Sequence, residues 1–98
     1  MDRNRRPTHP GMVLREDVLP AMSLSVSELA RCLQMSRQSL HRILGETQPV
    51  TPATALKLAR LLNTTPELWL NMQRAVDLWE ESRRLADDLA RIRPVAAR

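Results

Sequence analysis

Several residue types that shape protein folds are scarce in this 98-residue chain: it has one cysteine, two glycines, and neither phenylalanine nor tyrosine. The single cysteine, Cys32, excludes an internal disulfide, and we expect it on the buried side of a helix as a small hydrophobe. Two isolated glycines exclude a glycine-rich loop that cradles phosphate. Strands favour aromatic and β-branched side chains, whereas the abundant leucine, alanine and arginine favour helices. The composition therefore predicts an all-α protein.

Long apolar segments are also missing. A membrane-spanning helix needs about 20 predominantly apolar residues in a row, and no run in this sequence approaches that length. The N-terminal stretch MDRNRRPTHP is basic but lacks the apolar core of a secretory signal. These absences predict a cytoplasmic protein that does not contact the membrane.

Groups that catalyse reactions or bind metals are equally few. The two histidines, His9 and His41, are far apart in the sequence, and no histidine or cysteine pair has the spacing of a zinc site. The neighbouring Asp87 and Asp88 are typical of the solvated face of a charged helix. We therefore expect no enzyme activity: no catalytic residue, no metal, no cofactor and no small-molecule substrate.

Start and stop signals divide the sequence into five predicted helices. The first, within THPGMVLREDVLP, is expected to end at Pro20, because proline lacks the backbone donor that continues a helix. Ser25 and Glu28 have the spacing of a capping box at the start of the second helix. Ser36 begins the third helix, and Gly45 is predicted to end it in the left-handed conformation.

The two remaining helices begin at threonine caps. Thr51 and Thr65 are each followed by a proline, which fits the first position of a helix. The last helix is predicted to end at Pro94, either as one continuous helix or with a break near Ser82. This interpretation divides the chain into a flexible basic arm (1–7), a helix-turn-helix domain (8–80) and a charged C-terminal helical tail (81–98).

The second and third predicted helices, at about residues 25–45, are joined by a short turn and have the arrangement of a helix-turn-helix. In the third helix, Leu40, Ile43 and Leu44 are spaced to face the core. The opposite side carries polar side chains suited to base edges, Arg37, Gln38 and His41, with Ser39 and Arg42 flanking them. Arginine can bond guanine O6 and N7 together, and glutamine can bond adenine in the same way. The spacing predicts a DNA-reading helix or, as the alternative, an ordinary solvated face.

The distribution of charge also favours nucleic acid. Residues 25–60 hold five basic and two acidic side chains, so they carry +3 of the chain's net charge of +4. Backbone N–H groups at the starts of the second and third helices can hold phosphates. The candidate phosphate-binding residues are Ser25, Ser27, Ser36 and Thr47.

Two tryptophans lie in the last predicted helix. Trp69 and Trp79 are ten positions apart, nearly three helical turns, so they face broadly similar directions. Either can be a core anchor or a residue of a dimer interface, where tryptophan is enriched. We expect one in the core and one at the interface of a two-fold homodimer.

Taken together, these segments resemble a HigA-type antitoxin of the Xre/lambda-repressor-like helix-turn-helix family. The resemblance covers residues 8–80 and is carried by four stretches: HPGMVLREDVL, LSVSELARCLQMSRQSLHRIL, VTPATALKLARLLNTTPELWLNMQ and AVDLW. It implies a five-helix lambda-repressor-like DNA-binding domain with an extended C-terminal helix. On the pattern of that family, the base-reading residues are Arg37, Gln38, Ser39, His41 and Arg42. The resemblance also implies a homodimer that represses its own operon by binding double-stranded operator DNA, and that sequesters a HigB/RelE-like mRNA-cleaving toxin.

The resemblance suggests where the toxin binds and where this chain departs from its family. The N-terminal arm and first helix are the candidate toxin surface, with His9, Arg15 and Glu16 as the candidate contacts. Gly45-Glu46 stands where relatives commonly have Asn-Gly, which puts an anionic side chain near the expected phosphates. Val26 replaces a glutamine that often clamps a phosphate. Both departures are expected to lower DNA affinity.

Two other functions fit the same residues. The chain can be a stand-alone Xre-family transcriptional regulator without a toxin, which a missing toxin-like reading frame beside its gene would favour. It can also be a helical interaction module whose basic surface binds an acidic protein. Sequence-selective DNA binding would exclude that last alternative, whereas salt dependence alone would not.

Overall fold

The computed structural model describes residues 5–96, and over these residues it contains six helices and no strand. The helices are α1 (10–22), α2 (Val26–Cys32), α3 (Arg37–Leu44), α4 (Pro52–Leu62), α5 (Pro66–Arg84) and α6 (Ala86–Arg91). The all-α prediction is confirmed. The sixth helix arises because the long C-terminal helix is interrupted at Leu85, whose φ of −98° and ψ of 10° lie outside the helical region.

Helix α1 continues through Pro20, so the prediction that Pro20 ends it was wrong. Three consecutive segments, α-helical, π-helical and again α-helical, make up α1: Pro10–Val13, Leu14–Val18 and Leu19–Met22. In the π-helical turn the Leu19 N–H bonds the Leu14 carbonyl, so this turn holds one extra residue. A proline in a regular α-helix collides with the carbonyl four residues earlier, and the wider turn relieves that collision.

Helices α2 to α5 begin where the sequence predicted. Their caps share one geometry, in which a side-chain oxygen accepts the N–H three residues ahead: Ser25, Ser36, Thr51 and Thr65. The capping box of α2 is confirmed, since the Ser25 N–H also donates to the Glu28 carboxylate at 3.0 Å. That backbone hydrogen bond lowers the pKa of Glu28 below its ordinary value.

The core lies where the inner faces of α1 to α5 meet. Its largest fully buried side chains include Leu14, Leu29, Leu33, Leu40, Ile43, Leu58 and Trp69. The Trp69 indole N–H donates to the Thr64 hydroxyl at 2.8 Å, which satisfies its only polar group. Trp69 is only 2% exposed. It is therefore the core anchor expected of one of the two tryptophans, and its alternative place at a dimer interface is corrected.

His9 belongs to the core as well. It is 3% exposed, and its Nδ1 accepts the Gly11 N–H at 2.9 Å as the N-cap of α1. Burial lowers the pKa of His9 below its ordinary value of 6.5, because desolvation penalises the charged ring. A side chain enclosed in this way does not reach a partner protein, so the predicted toxin contact at His9 is corrected.

The exposure of Cys32 and the lengths of the helices complete the description of the fold. Cys32 is exposed rather than buried, because α2 turns the Leu29 and Leu33 side to the core and Cys32 lies outside that stripe. Within residues 5–96, each helix is too short or too polar to span a bilayer.

Candidate nucleic-acid interface

Helices α2 and α3 are connected by a tight turn over residues 33–36. Gln34 adopts a left-handed φ of 53° there, and the Met35 N–H returns to the Ala30 carbonyl at 3.0 Å. From α4, the Lys57 ammonium donates to the Gln34 carbonyl at 3.0 Å. The turn is therefore braced from outside, and α3 is held in a defined orientation to α2.

Helix α3 separates an apolar face from a polar one. Its buried residues are Leu40, Ile43 and Leu44. Its exposed polar residues are Arg37, Gln38, His41 and Arg42. Because a helix turns once every 3.6 residues, these four positions lie on one side. The structure thus places four of the five predicted base-reading residues on a single exposed face of a well-anchored helix.

Ser39, the fifth predicted base-reading residue, lies at the edge of that face. It is half-buried, and its hydroxyl accepts the Gln48 side-chain amide at 2.7 Å. Gln48 was not among the predicted site residues, because a lone glutamine in a loop carries no distinctive sequence signal. Its bond to Ser39 fastens the loop after α3 onto the helix.

The candidate phosphate-binding residues differ in whether they keep a hydrogen-bond donor free for a phosphate. Ser25 and Ser36 are exposed, and their oxygens accept cap bonds at 3.1 and 3.0 Å, which leaves each hydroxyl proton available for donation. Ser27 is half-buried in the first turn of α2. Thr47 uses its hydroxyl and its N–H to bond the Arg42 carbonyl, at 3.2 and 2.9 Å. Thr47 therefore presents no free donor to a phosphate, contrary to expectation.

The loop after α3 begins differently from the sequence prediction. Gly45 has an ordinary φ of −82°, whereas Glu46 takes the left-handed position with a φ of 63°. The predicted left-handed glycine was therefore wrong by one residue. A left-handed glutamate is strained, because its Cβ crowds the backbone, at a cost of about 1–2 kcal/mol.

The Glu46 carboxylate is held by two arginines. The Arg6 Nη1 lies 2.6 Å from Glu46 Oε1, and the Arg15 Nη1 lies 3.3 Å from Glu46 Oε2. The same Arg15 nitrogen donates to the Leu44 carbonyl at the end of α3, at 2.6 Å. Arg6 also pairs with Glu80 of α5 at 2.8 Å. We call these four charged side chains, Arg6, Arg15, Glu46 and Glu80, the arginine–glutamate cluster.

From the sequence, an anionic side chain is expected near the phosphates at this end of α3, and the cluster compensates that charge. The hydrogen bond from Arg6, more than any other contact, lowers the pKa of Glu46, so this carboxyl is ionised at neutral pH. Its charge is nevertheless compensated by its two partners. Of the predicted flexible arm at 1–7, residues 1–4 lie outside the described residues, whereas Arg6 is held by its two ion pairs.

The remaining predicted contacts lie on the surface or at its edge. Arg15 and Glu16 are exposed on α1, and their side chains pair at 3.2 Å. Trp79 of α5 is half-buried, with the Arg83 guanidinium stacked 4.2 Å from its ring centre. Val26, which stands in α2 where relatives often have a phosphate-clamping glutamine, packs against the core.

No group of three or more histidine, cysteine or acidic residues within 5–96 could hold a metal ion.

Comparison with known proteins agrees with this geometry. A family model described as a Cro/C1-type helix-turn-helix DNA-binding domain matches residues 16–67. An uncharacterised helix-turn-helix-type transcriptional regulator of Haemophilus influenzae is 38% identical over 96 residues, which cover 96% of this chain and 90% of the relative. The matched segment contains the whole of α2 and α3, so it includes the polar face of α3.

Several similar solved structures contain DNA, and two of them are antitoxins. The antitoxin GraA in complex with its operator is 37% identical, with a TM-score of 0.85 and coverage of 95% of both chains. The Pseudomonas aeruginosa antitoxin HigA with the higBA promoter is 28% identical, with a TM-score of 0.87 and coverage of 93% of this chain and all of that chain. Similarity over nearly the full chain extends to helices outside the DNA-binding motif.

Proposed function

This chain belongs to the Cro/C1-type helix-turn-helix DNA-binding family, and we propose from that premise that it is an antitoxin that represses its own operon. In this role it binds double-stranded operator DNA and a HigB/RelE-like mRNA-cleaving toxin. The observation that carries the DNA-binding half is the exposed polar face of α3. The role requires binding alone and no catalytic group.

The dimensions and chemistry of α3 suit the major groove of B-DNA. Eight residues make a helix about 12 Å long, close to the roughly 12 Å width of that groove. Arg37 and Gln38 lie in the first turn, where helix-turn-helix proteins contact base edges. Arg42, one turn later, is placed for a base or a flanking phosphate. The hydroxyls of Ser25 and Ser36 are the proposed phosphate donors at the helix starts.

A toxin partner is supported by the similarity to antitoxins rather than by a cavity. HigA and GraA match this chain over more than nine-tenths of its length. Arg15 and Glu16 are the proposed toxin contacts, since both are exposed on α1. Because Arg15 also bonds the end of α3, a toxin on this surface would lie beside the DNA-reading helix.

A two-fold homodimer would give the repressor two reading helices. Helix α5 exposes Leu78 (62% exposed) beside the half-buried Trp79, which makes this stretch the proposed interface. Two copies would address half-sites about 34–36 Å apart, one turn of DNA. A protein that reads operator DNA works where the DNA is, so we place it in the cytoplasm.

A stand-alone transcriptional regulator is the second candidate. The Haemophilus influenzae relative is described as a transcriptional regulator, and that description includes no toxin. Both candidates require the same DNA-reading face, so they differ only in the protein partner. Co-purification of a small basic protein encoded beside this gene would favour the antitoxin, and its absence would favour the stand-alone regulator.

The decisive experiment is a binding titration against the DNA upstream of this protein's own gene, with an unrelated duplex of equal length as control. Titrations at two salt concentrations separate phosphate contacts from base contacts. A repressor binds the upstream DNA selectively. Equal, weak binding to both duplexes would contradict operator recognition and favour an acidic protein as the partner of the basic surface.

A further inference from the structure

The arginine–glutamate cluster lies where α3 would leave the major groove. Because α3 is about as long as the groove is wide, its C-terminal end reaches the row of phosphates at the groove edge. Glu46 is the second residue beyond that end. An unpaired carboxylate at this position would repel phosphates, and unpaired arginines would attract them.

The contacts show that both arginines are brought to this end of the helix. Arg15 is fixed there by its 2.6 Å bond to the Leu44 carbonyl. Arg6 comes to the same point through its 2.6 Å ion pair with Glu46, across 40 positions of sequence. Each arginine that is free to contact a phosphate displaces counterions and strengthens binding to any DNA sequence.

We infer that Glu46 is a positioning residue that withholds Arg6 and Arg15 from DNA phosphates and so limits sequence-independent binding. The inference rests on the proposed DNA-binding function and deepens it. With these two surface cations paired with carboxylates of the protein, affinity depends more on the base contacts of α3 and less on net charge.

Two further observations support this role. Glu46 occupies a left-handed position that glycine would adopt without strain, so the strain is compensated by contacts of the glutamate side chain. The neighbouring Thr47 turns both of its donors inward onto the Arg42 carbonyl. The Thr47 donors, like the two arginines, are therefore bonded to groups of the protein at this end of α3.

Glu80 makes the restraint on Arg6 more secure. Arg6 is bound at one side by Glu46 and at the other by Glu80, at 2.6 and 2.8 Å. A phosphate approaching Arg6 has to compete with two carboxylates from different parts of the fold. Loss of Glu46 would remove one of them and would also remove one of the two carboxylates paired with Arg15, leaving only Glu16 at 3.2 Å.

The test compares the salt dependence of DNA binding in the full chain and its variants. Glu46→Gln removes the charge at nearly constant size, and Glu46→Gly removes it while suiting the left-handed backbone. Asp88→Asn is the matched control, because it also removes one acid and releases an arginine, Arg91, on the distant helix α6. All proteins are titrated with the upstream duplex and with an unrelated duplex.

Both Glu46 variants should bind the unrelated duplex about 10-fold more tightly at low salt. The plot of log affinity against log salt should steepen by about one to two, since each phosphate contact contributes roughly 0.9. Adding Arg6→Gln to Glu46→Gln should reverse about half of that increase. Asp88→Asn should match the unaltered protein.

The outcomes distinguish this inference from the proposed function. If the unaltered chain binds the upstream duplex selectively but both Glu46 variants keep its salt slope, the inference alone is overturned. If the unaltered chain binds neither duplex, operator recognition fails and the inference fails with it. Urea unfolding of each variant identifies any that does not fold, and Glu46→Gly then provides the comparison on a relaxed backbone.

Discussion

Gly11 of α1 lies directly against the backbone carbonyl of Ile43 in α3. A Cβ atom placed on Gly11 would be only 1.8 Å from the Ile43 oxygen, a distance that no packed side chain can have. Both sides of this contact are backbone, so neither can rotate away. The absence of a side chain at Gly11 thus sets how closely α1 approaches the helix that carries the polar face.

Replacing Gly11 with alanine should destabilise the protein. The collision forces α1 and α3 apart, and overpacking of this kind costs about 1–3 kcal/mol. Urea unfolding followed by tryptophan fluorescence measures the change in the free energy of unfolding. Gly45→Ala is the control, because its Cβ would lie 3.3 Å from the His41 carbonyl and its φ is ordinary. Equal losses in the two variants would contradict the prediction.

Stability should fall as the pH drops through the ordinary pKa of histidine. The pKa of buried His9 is lowered chiefly by desolvation; the Glu46 charge opposes this to a smaller extent, and the Arg6 charge adds to the lowering. The unfolded chain therefore binds a proton near pH 6.5 while folded His9 stays neutral, and stability is lost from that pH downward. Protonation would also remove the Nδ1 acceptor that caps α1.

His9→Asn provides the matched comparison for this pH dependence. Asparagine keeps a side-chain acceptor at the N-cap but does not titrate. Its free energy of unfolding should depend less on pH between about 7 and 5 than that of the unaltered chain. The same pH dependence in both proteins would show that His9 is not the titrating group.

Replacing Gln73 with leucine should cost about 1–3 kcal/mol, because it leaves a buried backbone donor without an acceptor. Gln73 is 6% exposed, and its side-chain oxygen accepts the Val50 N–H at 2.9 Å. Asp77→Asn is the control, since its oxygen can still accept the Gln73 amide at the observed 2.9 Å. Chemical denaturation should separate the two variants clearly, and similar midpoints would argue against the Val50 bond.

Gln38→Ala and Arg42→Ala should weaken DNA binding in different ways. A base contact from Gln38 is worth about 1–3 kcal/mol at one operator position, so its loss relaxes selectivity there. If Arg42 meets a phosphate, its loss weakens binding to all duplexes and reduces the salt slope by about one. Titrations against single-base operator variants measure both effects. Binding that matches the unaltered chain in both variants would exclude α3 as the reading helix.

Local signals in the sequence were sufficient to locate most helices. Ser25 with Glu28, and Ser36, were predicted as caps and are caps, because these hydrogen bonds span only three residues. The periodic spacing of Leu40 and Ile43 likewise predicted which side of α3 is buried. The exposed face of α3 followed from that, since a short helix anchored on one side presents its other side to solvent.

The errors arose at an irregular helical turn and where a residue's environment depends on distant parts of the chain. Pro20 normally stops a helix, but a π-helical turn before it allows α1 to continue. One tryptophan was expected in the core and one outside it, but the sequence did not distinguish them; the structure buries Trp69 and leaves Trp79 half-buried. Nothing within a few residues of His9 indicated that it would be buried.

The sequence by itself determined the helical class, the helix starts and the polar face of α3, because caps and helical periodicity act over one or two turns. Only the tertiary structure decided which charged side chains pair at the C-terminal end of α3. Glu46 meets Arg15 across 31 positions and Arg6 across 40, and Arg6 meets Glu80 across 74. Such pairs form only when packing of the apolar faces brings distant segments together, so the charge presented at this end of α3 is a property of the fold.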